Sequence, residues 1–233
     1  MKSAAYFDVD GTLVRTNLIQ PTIHFFGNQA SIMGSIRKIG TAILDGPRML
    51  HAEMRDRRLF NEILYSHYRG ISEDRLKVLA KEIFEEILID AIYPGAKDLI
   101  ALCKKADQRV VLVTGSLDVT ISYLADYLGA DDWIANRLEL KDGIATGKLM
   151  HPVVAGPVKS HLIVEDAKKH GYDLSECHGY SDSYSDVPML SVVGQAFCVN
   201  PDKKLTRLAQ AYRWPIIDIT RKTPGTNPDS SRI

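Results

Sequence analysis

Short apolar runs alternate with amphipathic stretches along most of this chain. Ala4-Ala5-Tyr6-Phe7, Arg109-Val110-Val111-Leu112-Val113, a stretch from Glu176 to Tyr180 and a last one over Ile216–Ile219 read as strands of four to six residues. Their apolar positions are continuous rather than alternating, as in strands covered on both faces. Helical periodicity marks Ala96–Ala106, opened by Tyr93-Pro94-Gly95, then Asp118–Leu128, Ser160–His170 and Lys203–Ala211. Leu138–Leu140 and Ile144–Gly147 flank Asp142-Gly143, a hairpin signal. Strands alternating with helices after residue 90 imply an α/β fold with a Rossmann-like parallel sheet and crossover helices on both faces.

The part from Thr16 to about Asp90 differs in character: it reads as helices throughout, with Gly34, Gly40, Gly46-Pro47 and Gly70-Ile71-Ser72 as breaks. Ile32, Ile36, Ile39 and Ile43 share a helical face, and Phe25, Phe26, Met33 and Leu44 add apolar bulk. The expected organisation is a core of residues 1–15 and 91–220, an inserted α-helical cap of residues 16–90, and a disordered tail of residues 221–233 rich in Pro, Ser, Thr and Gly. The apolar stripe has two readings: the buried seam of a lid that excludes water, or a surface that takes an acyl chain and makes peripheral membrane contact. On the second reading Arg48, Arg55, Arg57 and Arg58 would meet phosphate headgroups; on the first they are a solvated face balanced by Glu53 and Asp56.

Composition narrows the class without naming the chemistry. The chain has 233 residues, 45% hydrophobic and 25% charged, enough for one main core and a small subdomain. Lys+Arg 29 equals Asp+Glu 29, so no global field draws it to nucleic acid. Cys103, Cys177 and Cys198 are odd in number and lack CxxC spacing, which suits buried free thiols in a reducing, cytoplasmic setting. The first strand begins almost at once, leaving no room for a signal peptide, and no stretch reaches the roughly 18 apolar residues of a membrane span. Nothing in the pattern sets the oligomeric state.

The chemistry lies at the strand ends. Asp8-Val9-Asp10-Gly11-Thr12 leaves the first strand with two carboxylates at i and i+2, on one side of the backbone and at the end where open α/β sheets build sites. One carboxylate could attack an electrophile while the other moves a proton. The second strand empties into Thr114-Gly115-Ser116, a hydroxyl and unhindered amides suited to a phosphate. The third leads to Ser181-Asp182-Ser183-Tyr184-Ser185-Asp186, two more carboxylates four residues apart. Four converging acids need a cation, and all-oxygen ligands favour Mg²⁺. Lys159, ahead of the Ser160–His170 pattern, stands where it offsets that charge. Singly, each motif has a plainer reading as a polar turn or a solvated helix start.

In this order the motifs resemble the haloacid dehalogenase-like (HAD) superfamily, nearest its phosphoserine-phosphatase-like branch (subfamily IB), over roughly Met1 to Ile219. Asp8–Thr12, Val113–Ser116, Lys159 and Tyr180–Asp186 match its four motifs, with Ser181 where Gly is usual; Ala135-Asn136-Arg137-Leu138 and Cys198-Val199-Asn200-Pro201 also look like that branch. The resemblance implies that Asp8 is the nucleophile forming an aspartyl-phosphate and that Asp10 is the acid, then the base. Gly11, Thr12, Thr114, Gly115 and Lys159 would bind phosphate. Mg²⁺ would lie between the Asp8 carboxylate, the Asp10 carbonyl and Asp182, with Asp186 as ligand or support.

Two departures bear on substrate. The acidic residue that holds the ammonium of phosphoserine is matched by Asn17, and the Arg that holds its carboxylate is matched by His67. The sequence therefore leans towards a phosphomonoesterase acting on a small or lipid-type ester resembling lysophosphatidate or glycerol phosphate. Phosphoserine hydrolysis, phosphotransfer to an acceptor alcohol and a non-catalytic binding module are the alternatives.

Overall fold

The structure is a computed structural model that describes residues 2–16, 22–23, 40, 44–52 and 55–221. Six parallel strands make the main sheet in the order β3-β2-β1-β6-β7-β8, built from β1 Ser3–Phe7, β2 Gln108–Leu117, β3 Asp132–Asn136, β6 His178–Ser181, β7 Gln195–Val199 and β8 Ile216–Ile217. The strand order reverses at β1, which lies between β2 and β6, the position at which open sheets leave a crevice. A separate antiparallel hairpin joins β4 Leu138–Lys141 to β5 Ile144–Leu149 through Asp142-Gly143, both with positive φ as a tight turn demands.

The unbroken apolar runs have a direct cause. Ala5 and Phe7 of β1 and Val110 and Leu112 of β2 pack on one face against α3 (Ala96–Lys105) and α4 (Asp118–Leu128), which present Ile100, Cys103, Ile121 and Leu124. Ala4, Tyr6, Val111 and Val113 point to the other face, with Ile163 of α5 (Pro157–His170) and Met189. Covered by helices on both sides, neither face keeps polar positions. Phe7, Tyr180 and Phe197 stack across β1, β6 and β7 at ring separations of 4.1 and 4.8 Å, bracing the end of the sheet that carries the motifs. Arg109, buried in β2, is held by Asp132 and by Asp166 of α5, whose Oδ2 also accepts from the Tyr6 hydroxyl at 2.9 Å.

Between β1 and α3 the described chain is helical over 44–52, in α1 (Arg57–Ser66) and in α2 (Glu73–Ile83). Asp56 and Ser72 cap α1 and α2 by accepting the Arg58 and Arg75 amides. Beyond α2 the helix widens to a π-helical turn, Phe84–Leu88. Phe60, Leu64, Tyr65 and Tyr68 of this region pack with Leu76 and Leu79 against Leu117 and the hairpin residues Leu138, Ala145 and Leu149. A Cβ on Gly147 would lie 2.7 Å from the Ser66 carbonyl oxygen, so the hairpin touches α1 backbone to backbone. The two crossings into this region run side by side: Arg15 donates to the Ala91 carbonyl at 2.8 Å and Tyr93 to that of Leu13 at 2.9 Å.

Several sequence expectations need correcting. β2 continues through Thr114-Gly115-Ser116 to Leu117, because its register with β3 shifts by a bulge and resumes at Leu117. The third motif strand starts at His178, since Leu174–Glu176 closes as a 3₁₀ turn capped by Asp173. Lys159 lies inside α5, whose start at Pro157 uses a residue that needs no amide partner in a first turn. The edge strand stops at Ile217. Gly46-Pro47 does not break the chain, which is helical over 44–52, whereas Gly70, at φ +86°, does divide α1 from α2. His67 is buried rather than on the surface, its Nε2 3.4 Å from Asp45 Oδ2. Arg48 and Arg58 are paired with Asp45 and Asp56, as a solvated face would have them. The three cysteines are free and buried. Asn17, Phe25, Phe26, Ile32, Met33, Ile36, Ile39, Ile43 and the tail beyond Arg221 lie outside the described residues.

Candidate active site

The ends of β1, β2 and β6 and the start of α5 bring Asp8, Asp10, Thr12, Thr114, Lys159, Asp182 and Asp186 together. Asp8 follows β1 directly, its amide held by the Tyr180 carbonyl at 2.9 Å. The chain then turns sharply: Leu13 donates to the Val9 carbonyl at 2.9 Å and Gly11 to that of Val14 at 2.8 Å. Gly11 has φ +89°, and a Cβ there would sit 2.3 Å from Asp182 Oδ2. Only glycine satisfies both the backbone and the approach of that carboxylate.

Lys159 is the cation at the centre. Its Nζ donates to Asp8 Oδ1 at 2.6 Å and to Asp186 Oδ2 at 2.9 Å, with all three side chains buried. Burial alone would lower the Lys159 ammonium, but Asp186 and Asp8 outweigh it and hold it above its ordinary value. Thr12 Oγ1 lies 3.0 Å from Asp8 Oδ2 and 2.9 Å from Asp182 Oδ1, sharing one proton between them, and accepts the Asp182 amide at 3.0 Å. The Ser181 hydroxyl, standing where the resemblance expects Gly, donates to Asp186 Oδ2 at 2.9 Å. Thr114 Oγ1 donates to Asp10 Oδ2 at 3.1 Å and accepts the Ser116 amide at 3.0 Å; Ser116 Oγ reaches the same Asp10 oxygen at 3.2 Å.

The electrostatics are unbalanced. Burial, and then Asp8, push Asp10 up to about 6; burial, and then Asp8, push Asp182 up to about 7. Burial also raises Asp8, against the pull of Lys159. Asp186 Oδ1 is buried with no hydrogen-bond partner among the described residues. Buried acceptors in excess of donors fit a hard cation. Among the described residues no three His, Cys, Asp or Glu side chains form a metal cage by themselves. That suits Mg²⁺, which is commonly held by one or two carboxylates and keeps waters or phosphate oxygens as its other ligands.

A stability test follows from the raised Asp182. In metal-free protein its folded value near 7 exceeds the ordinary 3.8, so its ionisation opposes folding. The penalty is absent below about pH 4, grows as pH rises, and is complete above 7. Asp182→Asn should therefore stabilise the metal-free protein at pH 8 by about 1–3 kcal/mol and leave it unchanged near pH 4, read by urea denaturation at both. Equal stability of the two proteins at pH 8 would refute the uncompensated cluster.

Three contributors escaped the sequence reading. The Tyr65 hydroxyl of α1 donates to the Gly115 carbonyl at 3.1 Å, and Asn136 Nδ2 donates to the same oxygen at 2.8 Å, fixing the peptide between the two hydroxyl residues. Asn136 also accepts the Val154 amide through Oδ1, and it belongs to a segment already singled out by resemblance. Ser116 was legible only as the third letter of its motif. A cavity of about 20 Å³ beside Asp10, lined by Tyr65, Tyr68, Ser116, Leu117 and Thr120, has room for roughly one water.

Comparison with known proteins agrees with this geometry. The family described as haloacid dehalogenase-like hydrolase matches residues 5–191. Phosphoserine phosphatase SerB1 of Mycobacterium tuberculosis is 33% identical over 232 residues, 95% of this chain and 73% of that protein. Among solved structures, a protein of unknown function from Bordetella pertussis Tohama I has a TM-score of 0.78 at 21% identity, covering 94% of this chain and 99% of that one. A phosphoserine phosphatase in apo form has a TM-score of 0.66 at 20% identity, covering 95% and 94%. The chain belongs to the haloacid dehalogenase-like hydrolases, in their phosphoserine-phosphatase-like branch, and is an enzyme of the phosphatase type.

Proposed function

We propose that the protein hydrolyses a small phosphate monoester through an aspartyl-phosphate on Asp8, with Mg²⁺ as cofactor. The observation that carries this reading is the buried contact of Lys159 with Asp8 at 2.6 Å. A carboxylate attacking a phosphate dianion faces like-charge repulsion, and a fixed ammonium beside it lowers that cost. Asp8 attacks phosphorus. Asp10, poised near 6, is protonated in part at neutral pH and gives its proton to the leaving alcohol. As a carboxylate it then takes a proton from the water that attacks the phosphoryl group. Thr114, the Gly115 amide, Gly11 and Thr12 surround the phosphoryl oxygens. The Asp8 and Asp182 carboxylates and the Asp10 carbonyl would hold Mg²⁺, with Asp186 behind them steadying Lys159. When bound, the ion neutralises the acids and the phosphate together.

The helices of residues 16–90 serve as a cap. Tyr65 reaches from α1 to the Gly115 carbonyl, and the cavity beside Asp10 is far smaller than an alkyl leaving group, so substrate entry requires α1 to move. Phosphoserine is the first substrate to try, because the relatives that share this arrangement carry that name. The glycerol-phosphate and lysophosphatidate reading rests on the apolar stripe containing Phe25 and Phe26.

Purified protein should release inorganic phosphate from at least one of phosphoserine, glycerol phosphate, lysophosphatidate and p-nitrophenyl phosphate. Activity should vanish in EDTA, return with Mg²⁺, and return little with Ca²⁺, whose looser shell orients Asp8 less well. Undiminished turnover in EDTA would contradict the metal role. kcat/KM that climbs with acyl length by tenfold over a few methylenes would favour the lipid ester, since each buried CH₂ contributes about 0.8 kcal/mol. A flat series with a preference for phosphoserine would favour the amino acid ester.

A further inference from the structure

We propose that Ser116 is a positioning residue for Asp10, fixing which carboxylate oxygen faces the leaving group. Because β2 runs through residue 116, Thr114 and Ser116 stand at i and i+2 on one side of the strand, and both hydroxyls reach Asp10. They converge on a single atom, Oδ2, at 3.1 and 3.2 Å. An oxygen that accepts two O–H groups has little capacity left to carry a proton of its own, so the acidic proton belongs on Oδ1. The Ser116 amide meanwhile donates to Thr114 Oγ1 at 3.0 Å, which aims the threonine proton outward from the strand.

Thr114 cannot serve two acceptors at once. It has one hydroxyl proton, and in this structure that proton goes to Asp10 rather than to a phosphate. When a phosphoryl oxygen claims it, Asp10 Oδ2 keeps the Ser116 hydroxyl alone. Ser116 is half-buried and lines the small cavity beside Asp10, so its hydroxyl stays next to Asp10 while the leaving group occupies that space. The tether matters in one step: Asp8 forms its bond to phosphorus, the ester P–O bond breaks with its electrons going to the alkoxide oxygen, and Asp10 Oδ1 delivers its proton to that oxygen. A carboxyl free to rotate would present the wrong oxygen for part of the time.

The proposal rests on Asp10 acting as the general acid, and its test separates the two. For Ser116→Ala, kcat/KM is measured on an alkyl phosphate, which needs a proton to leave, and on p-nitrophenyl phosphate, whose nitrophenolate leaves without one. The expected result is a loss of about 10- to 100-fold on the alkyl ester and less than about threefold on the aryl ester, since only a part of the general-acid contribution depends on orientation. KM should change little, and Ser116→Thr, which restores the hydroxyl, should recover most of the loss. Ser116→Gly is read the same way if the alanine variant folds poorly. Equal losses on both esters, a loss confined to KM, or no loss overturns the positioning role. Asp10→Asn on the same pair decides between failures: if it discriminates the esters and Ser116→Ala does not, only the tether is wrong. If Asp10→Asn treats both esters alike, the general-acid reading falls and the tether with it.

Discussion

Asp8→Asn should cut turnover by about 10⁴–10⁶-fold on every phosphate ester the protein accepts, the range typical for loss of a covalent nucleophile. The amide is nearly isosteric, and its oxygen can still accept from Lys159 or Thr12, so the fold should persist. The amide nitrogen, however, is no nucleophile and cannot form the acylphosphate. Folding is also spared for an electrostatic reason: Asp8 is buried with its ionisation opposed by desolvation, and the neutral amide removes that penalty while Asp186 still pairs with Lys159. Circular dichroism and thermal melting of the variant should match the parent. A variant that melts like the parent and retains more than a few per cent of its activity would exclude Asp8 as the attacking group.

Lys159→Met should cost both activity and stability, and the stability loss should depend on pH. The native ammonium is held above its ordinary value, so its stabilising contribution is fully present from pH 5 to 8 and fades only in strongly alkaline solution. Without it, Asp8 and Asp186 lie buried and close with no cation between them. Breaking a buried ion pair by removing one partner typically costs about 3–5 kcal/mol. Asp8, already raised by burial, rises further, so the metal-free variant is weakest above neutrality and regains stability as acid protonates it. Mg²⁺ should recover part of the stability but not the rate, which should stay at least about 10³-fold down, because the phosphate still lacks its ammonium partner. Chemical denaturation at pH 5 and pH 8, with and without Mg²⁺, measures this. Equal stability of variant and parent at pH 8 would show that Lys159 is not compensating buried charge.

The sequence showed the sheet and its helices plainly, because continuous apolar runs such as Ala4–Phe7 and Val110–Val113 have few explanations other than strands covered on two faces. It also showed the charged cluster, since each member ends a strand or begins a helix next to one. Boundaries were less legible. That β2 continues through Thr114–Leu117 depends on a bulge against β3, which no local pattern encodes. Partners distant in sequence were illegible for the same reason: Tyr65 and Gly115 are 50 positions apart, and Asp10 and Ser116 are 106 apart. His67 reads as a surface histidine from its polar neighbours, yet α1 turns it inward towards Asp45. Gly46-Pro47 reads as a break because Pro usually ends helices, but the chain is helical through it.

The most direct measurement is chemical capture of the phosphorylated enzyme. Protein mixed rapidly with substrate and Mg²⁺, quenched in acid within one turnover and digested, should yield a phosphorylated form of the peptide carrying Asp8. Borohydride, which reduces an acylphosphate but not a free carboxylate, should convert that residue to homoserine. The label should appear before inorganic phosphate, disappear as phosphate is released, and be absent from Asp8→Asn. Steady phosphate release with no phosphoryl group on Asp8 at any quench time, or with the label on another residue, would contradict nucleophilic attack by Asp8.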